Sequence, residues 1–287
     1  MYEAFYGLQE NPFGTTPDPR YLYRSRAHRE ALAYLGYGVF RKKGFLAVTG
    51  EVGIGKTTVV RAFVQTFQPC LDVAFVLNTR VDFRELLYML LTDFGVEIGN
   101  DSKVAMLAGL NAFLIGRFAA NQNPVLVIDE AQNLSVEVLE ELRMLSNLET
   151  DAQKLIQIVL VGQPELGRVL GREDMRQLRQ RIPGLFHMQY LSDEEVAHYI
   201  AFRLDVAAGD TAHHVEFTDG ALSAISDTSG GTPRLINLIC DRVLMRGYLA
   251  RARRIDRALV EASVRELSEY LDGDGHASRT GTGGGVF

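Results

Sequence analysis

The chain has 287 residues, 47% of them hydrophobic and 23% charged, with a mean hydropathy near zero, so neither a disordered chain nor a short stapled scaffold fits. Thirty Lys and Arg against thirty-six Asp and Glu leave a formal charge of −6, which disfavours a whole-surface affinity for nucleic acid but not a local basic face. Cys70 and Cys240 form no metal-like or disulfide spacing, the N-terminus lacks a basic-then-apolar leader, and no run approaches the ~20 apolar residues of a membrane helix, so a cytoplasmic protein is expected.

Apolar runs at 45–49, 73–77, 125–128, 156–161 and, more weakly, 185–190 read as strands. Between them, 56–67, 82–94, 103–120 and 135–148 are long enough to be the crossover helices of a doubly wound parallel sheet. From Ser192 the pattern is helical alone, at 193–208, 219–229, 233–251 and 256–270. Ser192 with Glu195 reads as a capping box, Thr218 precedes an apolar run, and Pro233 after Thr232 stands at a first helical position. These signals divide the chain into an α/β core at 1–190, a helical lid at 191–271 and a tail at 272–287. Six Gly in the sixteen residues of the tail leave little to bury, and disorder is expected there.

The strongest motif is Gly50-Glu51-Val52-Gly53-Ile54-Gly55-Lys56-Thr57, a G-x-x-x-x-G-K-[ST] loop between a strand and a helix. Its glycines let successive N–H groups face phosphates at a helix N-terminus, so 50–57 and the adjoining Thr58 form the expected nucleotide cradle. Lys56 is expected to reach the β- and γ-phosphates of ATP, and Thr57 to hold Mg2+ with its hydroxyl. Val125 to Ile128 end in Asp129-Glu130, a Walker B pattern, with Asp129 on the magnesium through water and Glu130 orienting and polarising the attacking water. An ordinary helix cap is the competing explanation for that pair. Gln163 ends the fourth strand and either helps fix the water or caps a helix from Pro164; Asn78 ends the second and either holds Glu130 or makes a turn. Arg176, Arg179 and Arg181 form a cluster in which 176 and 179 share a helical face, a candidate trans-acting finger or a solvated surface. Gly230-Gly231-Thr232-Pro233-Arg234 opens a lid helix that would aim Arg234 at the phosphates.

In this order the features resemble the AAA+ ATPases, and more specifically the ExeA or general secretion pathway protein A family and the similar ATPases of exosortase and exopolysaccharide loci. Phe5-Tyr6-Gly7-Leu8, Asn11-Pro12-Phe13, Thr16-Pro17-Asp18-Pro19-Arg20, His28-Arg29-Glu30-Ala31-Leu32, Asp129-Glu130-Ala131-Gln132, Gly162-Gln163-Pro164-Glu165-Leu166 and Gly231-Thr232-Pro233-Arg234 carry the resemblance over residues 1 to about 270. It implies a three-layer αβα P-loop sandwich with a five-stranded parallel sheet, followed by a small all-helical lid. It also implies an adenine pocket lined by the segment from Tyr21 to His28, Tyr23 and His28 among it, with Gln163 as sensor 1 and Pro233 and Arg234 at sensor 2. Self-association into a ring or filament and an arginine supplied in trans are implied as well. ExeA proper continues into a membrane helix and a peptidoglycan-binding region where this sequence has its Gly-rich tail, so the short, soluble members are the nearer likeness. The expected function is an ATP-hydrolysing, oligomerising protein that remodels or assembles an envelope secretion or exopolysaccharide export system. It would act in the cytoplasm or at the periphery of the inner membrane, on an unidentified partner that is membrane-associated in that reading. The alternatives are a DNA-associated regulator of the transposition-helper kind, for which Arg242, Arg246, Arg251, Arg253, Arg254 and Arg257 supply a locally basic lid end, and a slow nucleotide-gated switch.

Overall fold

The computed structural model describes residues 1–14, 18–77, 79–150 and 153–276. It divides into two compact units, Arg24–Gln189 on one side and Met1–Tyr23 together with the chain from Tyr190 on the other. The first unit holds α2 (Arg26–Phe40), β1 (Phe45–Thr49), α3 (Lys56–Phe67), β2 (Leu71–Val76), α4 (Phe83–Asp93) and α5 (Lys103–Ala119). It continues with β3 (Asn123–Ile128), α6 (Val136–Leu145), β4 (Gln157–Gly162), α7 (Pro164–Gly171), α8 (Arg176–Arg179) and β5 (Leu185–His187). The strands form one parallel sheet in the order β2-β3-β4-β1-β5.

Every residue of β1, β3 and β4 is buried, as expected of strands covered on both faces. Alternation assigns each side chain to a layer. Phe45, Ala47, Leu126, Ile128, Ile158 and Leu160 pack with α4 to α8, while Leu46, Val48, Val125, Val127, Val159 and Val161 pack with α2 and α3. The result is the three-layer αβα sandwich. Thr49 pairs with Gly162 and Ile128 with Leu160, so β1, β3 and β4 end at nearly one level, with β4 in the middle. Ligands of open α/β sheets bind at this carboxyl edge.

The second unit holds α1 (Glu3–Tyr6), α9 (Asp193–Ala208), β6 (Glu216–Phe217), α10 (Asp219–Ser229), α11 (Pro233–Leu249), β7 (Arg254–Ile255) and α12 (Arg257–His276). Both halves of the Ser192–Glu195 capping box are made, and Thr218 caps α10 by accepting from the Ala221 N–H. The parallel pair β6–β7 is an addition that helical periodicity did not show.

Two boundaries need correction. Residues 1–23 do not belong with the 1–190 core: Tyr2, Tyr6, Leu8, Phe13 and Tyr21 are buried in the same apolar cluster as Val196, Ile200 and Leu244 of α9 and α11. The Tyr6 hydroxyl donates to the carbonyls of Ala252 (3.0 Å) and Leu244 (3.2 Å), and buried Arg203 of α9 donates through Nε to the Pro12 carbonyl at 2.5 Å. The tail does not start at 272, because α12 runs to His276; the remainder lies outside the described residues, as does Asn78.

Candidate functional site

The loop from Gly50 to Gly55 leaves β1 and turns into α3 through Gly53 and Gly55, whose φ angles of 81° and 98° lie in the left-handed region that favours glycine. Gly55 is also approached from outside: a Cβ there would stand 3.1 Å from Nε2 of His28. That imidazole is 7% exposed, and its Nδ1 lies 2.6 Å from the hydroxyl of Ser25, which caps α2. The first turn of α2 therefore braces the glycine loop.

Lys56, the first residue of α3, folds back over the loop and donates from Nζ to the carbonyls of Gly50 (2.8 Å) and Glu51 (2.9 Å). It is 6% exposed and makes no ion pair among the described residues. Burial lowers its pKa from the ordinary 10.5, and the charges of Glu130, Asp129 and Glu51 oppose the shift. A desolvated cation at a helix N-terminus is a site for a polyanion. Thr57 donates to Oδ2 of Asp129 at 2.6 Å, which brings a hydroxyl and a carboxylate oxygen together one residue beyond Lys56. Oxygen donors few in number suit Mg2+, which takes one or two carboxylates and completes its shell with phosphate and water. The donor set fits the cation expected from the sequence. Among the described residues no group of three or more His, Cys, Asp or Glu offers a separate metal centre. Thr58, half-buried, follows on α3.

Asp129 and Glu130 follow the last residue of β3. They are adjacent, yet both reach the carboxyl edge because Glu130 adopts φ 51°, a left-handed turn uncommon for a residue with a Cβ. The turn is held at several points: the Glu130 N–H donates to Asp129 Oδ1 (2.9 Å), and the Glu130 carbonyl accepts from the buried Thr79 hydroxyl (3.1 Å). Neither carboxylate makes a helix-capping bond: Glu130 stands at the N-cap position of the short helical turn Ala131–Asn133 without a side-chain cap bond, and the following helix α6 is capped by Ser135. Gln163 stands at the N-cap position of α7 without making a cap bond; its Nε2 donates instead to Glu130 Oε2 at 3.1 Å. Glu130 Oε2 also accepts from Gln132 Nε2 at 2.5 Å, and Gln132 Oε1 accepts from the Gln163 N–H at 3.0 Å.

The structure thus brings Gly50 to Thr57, His28, Asp129, Glu130 and Gln163 into one unit around the ends of β1, β3 and β4. Sequence reasoning assigned no role to Thr79 or Gln132, and reached Ser25 only within the segment from Tyr21 to His28. Gln132 carried a weak signal, as the last residue of Asp129-Glu130-Ala131-Gln132. In the same unit Arg179 donates to the Gly171 carbonyl (3.2 Å) and Arg181 to the Ser146 hydroxyl (3.4 Å), while Arg176 is exposed. Tyr23, Pro233 and Arg234 belong to the other unit, where Tyr23 packs on Tyr199 and Phe202 and Arg234 is exposed beside Pro233 at the start of α11.

Residues 40–170 match the AAA domain family. Over 273 residues, 95% of this chain, the sequence is 42% identical to General secretion pathway protein A of Aeromonas hydrophila, and it spans 49% of that protein's length. Among solved structures, the Aeropyrum pernix ORC2 protein in its ADPNP-ADP complexes superposes with a TM-score of 0.67 at 20% identity, over 90% of this chain and 72% of that one. Drosophila ORC bound to DNA gives 0.65 at 18% identity, over 93% of this chain and 67% of that one. At such identities the structural likeness speaks for the fold alone. The sheet order, the loop before α3 and the sequence relationship agree: residues 40–170 are a domain of the AAA family, in a chain that is a relative of general secretion pathway protein A.

Proposed function

We propose that this protein binds ATP with Mg2+ at the carboxyl edge of its sheet and hydrolyses it to ADP and phosphate. The observation that carries the reading is Glu130, a carboxylate held by two amide side chains one residue beyond Asp129 and in the same unit as Lys56. The glycine loop and the N-terminus of α3 would bind the phosphates, with Lys56 exchanging its two carbonyl partners for phosphate oxygens. Thr57 and, through water, Asp129 would hold magnesium, which when bound would neutralise charge on the phosphates. Glu130 would accept a proton from the attacking water while Gln163 fixes that water's position. His28, beside the glycine loop, would line the adenine pocket.

Beyond the chemistry, we propose assembly into a ring or filament, with one of Arg176, Arg179 and Arg181 acting on a neighbour's nucleotide. Turnover would be coupled to remodelling or assembly of an envelope secretion or exopolysaccharide export system, in the cytoplasm or at the inner-membrane periphery. The relationship to general secretion pathway protein A supports this reading. The DNA alternative rests on the arginines at the end of the second unit, and carboxylates offset several of them: Arg246 pairs with Glu266, Arg254 with Glu216 and Arg257 with Glu261, while Arg253 lies over the Phe5 ring.

Glu130→Gln is the test of the hydrolytic reading. It is expected to lower ATP turnover by about 10²- to 10⁴-fold, the usual contribution of a positioned base, with nucleotide affinity retained. Turnover at the wild-type rate would refute the assignment.

A further inference from the structure

We propose that Gln132 is a positioning residue for ATP hydrolysis: it ties the Glu130 carboxylate to the end of β4 and so presents the carboxylate's other oxygen to the attacking water. The inference rests on the hydrolytic reading above and adds a residue to it. Its basis is a closed ring of polar contacts. Gln132 Nε2 donates to Glu130 Oε2 (2.5 Å), Gln132 Oε1 accepts from the Gln163 N–H (3.0 Å), and Gln163 Nε2 returns to the same Glu130 oxygen (3.1 Å).

Two amide donors on one carboxylate oxygen fix the plane of the group, since both converge on Oε2 from different elements. Oε1 accepts no hydrogen bond among the described residues, which makes it the atom available for a proton. The Glu130 backbone is fixed separately by Asp129 and Thr79, so Gln132 acts on the side chain rather than on the turn. Because Gln132 bonds both Glu130 and the backbone that carries Gln163, it couples the ends of β3 and β4 directly. A displacement of Gln163 by a γ-phosphate would therefore be transmitted to the carboxylate.

The space for this glutamine is made at Gly162. A Cβ there would lie 2.8 Å from Gln132 Oε1 and 2.9 Å from Leu166 Cδ2, so an alanine would push the amide away without replacing any hydrogen-bonding group. That gives two independent ways to break the same contact.

The experiment measures steady-state ATP turnover, affinity for a fluorescent ATP analogue and thermal melting on the full chain, for wild type, Gln132→Met, Gly162→Ala and the double variant. Each single variant is expected to lose about tenfold or more in kcat, with the analogue's Kd within about twofold of wild type. The double variant is expected to fall no more than about twofold below the poorer single, because both changes remove one interaction. Wild-type kcat in Gln132→Met would overturn the positioning role, as would a loss of kcat that tracks a parallel loss of affinity and melting temperature. Multiplicative losses in the double variant would also overturn it. Absence of turnover in the wild type is a different result, which removes the hydrolytic reading and this role with it.

Discussion

At the residue scale the site depends on how two charges are held. Lys56 is a buried ammonium whose hydrogen-bond partners in the loop are the Gly50 and Glu51 carbonyls, and burial depresses its pKa. Phosphate oxygens favour the charged form and raise that pKa again. The sign follows: between the depressed value and the ordinary 10.5, the free protein holds less proton on Lys56 than the complex does. ATP binding is therefore expected to take up protons as the pH rises into that window, seen as a buffer-dependent calorimetric enthalpy that is larger at alkaline than at neutral pH. Proton release over that range would contradict the description of Lys56. Lys56→Ala should abolish nucleotide binding, and normal binding by that variant would refute the phosphate-loop assignment. Lys56, Thr57 and Asp129-Glu130 were legible in the sequence because a short pattern fixes their local geometry. Gln132 was not, since its role depends on β4 lying beside β3, a pairing between segments some thirty residues apart that no local spacing encodes.

At the element scale, the short apolar runs identified all five strands, with ends shifted by a few residues, although only β1, β3 and β4 are buried along their whole length. Their order, and with it the central place of β4, is set by pairings between distant segments that no local pattern encodes. Helix α2 had no expectation attached. Its apolar positions Ala27, Ala31, Leu35 and Val39 recur every fourth residue, but Gly36, Gly38 and two tyrosines between Ala31 and Val39 dilute the pattern. The N-terminal segment departs from chain order: it precedes the α/β core in sequence, whereas burial of Tyr2, Tyr6 and Phe13 ties it to α9 and α11. Tyr6 tests that attachment. Burial pushes its pKa up to about 12, and its hydroxyl serves two carbonyls. Tyr6→Phe should destabilise the helical unit by about 1–3 kcal/mol, the cost of leaving buried acceptors unpaired, and Tyr6→Ala by about 3–5 kcal/mol as the ring is lost. Urea unfolding checks both, and wild-type stability in Tyr6→Ala would show that the segment is not part of that core.

For the whole molecule, the two units account for a length that composition alone could not divide. Among the described residues no helix is long and apolar enough to cross a membrane, and the acidic balance of −6 is matched locally by carboxylates spaced among the arginines of the second unit. Strong, salt-sensitive stimulation of turnover by DNA would therefore contradict the export reading. Assembly is expected to follow nucleotide: Glu130→Gln should elute as a larger species with ATP than without it, and an unchanged elution volume would count against a ring or filament. If an arginine acts in trans, mixing an alanine variant at Arg176, Arg179 or Arg181 with Lys56→Ala should partly restore turnover. No restoration from any of the three would remove the finger. All of these depend on one chemical claim, that ATP is cleaved at the end of β3. The direct measurement is phosphate release with saturating Mg-ATP, together with bound nucleotide on the same samples, for wild type, Glu130→Gln and Lys56→Ala. Release by the wild type, bound nucleotide with little release in Glu130→Gln, and neither in Lys56→Ala is the expected result; no release by the wild type, or equal release by all three, would contradict it.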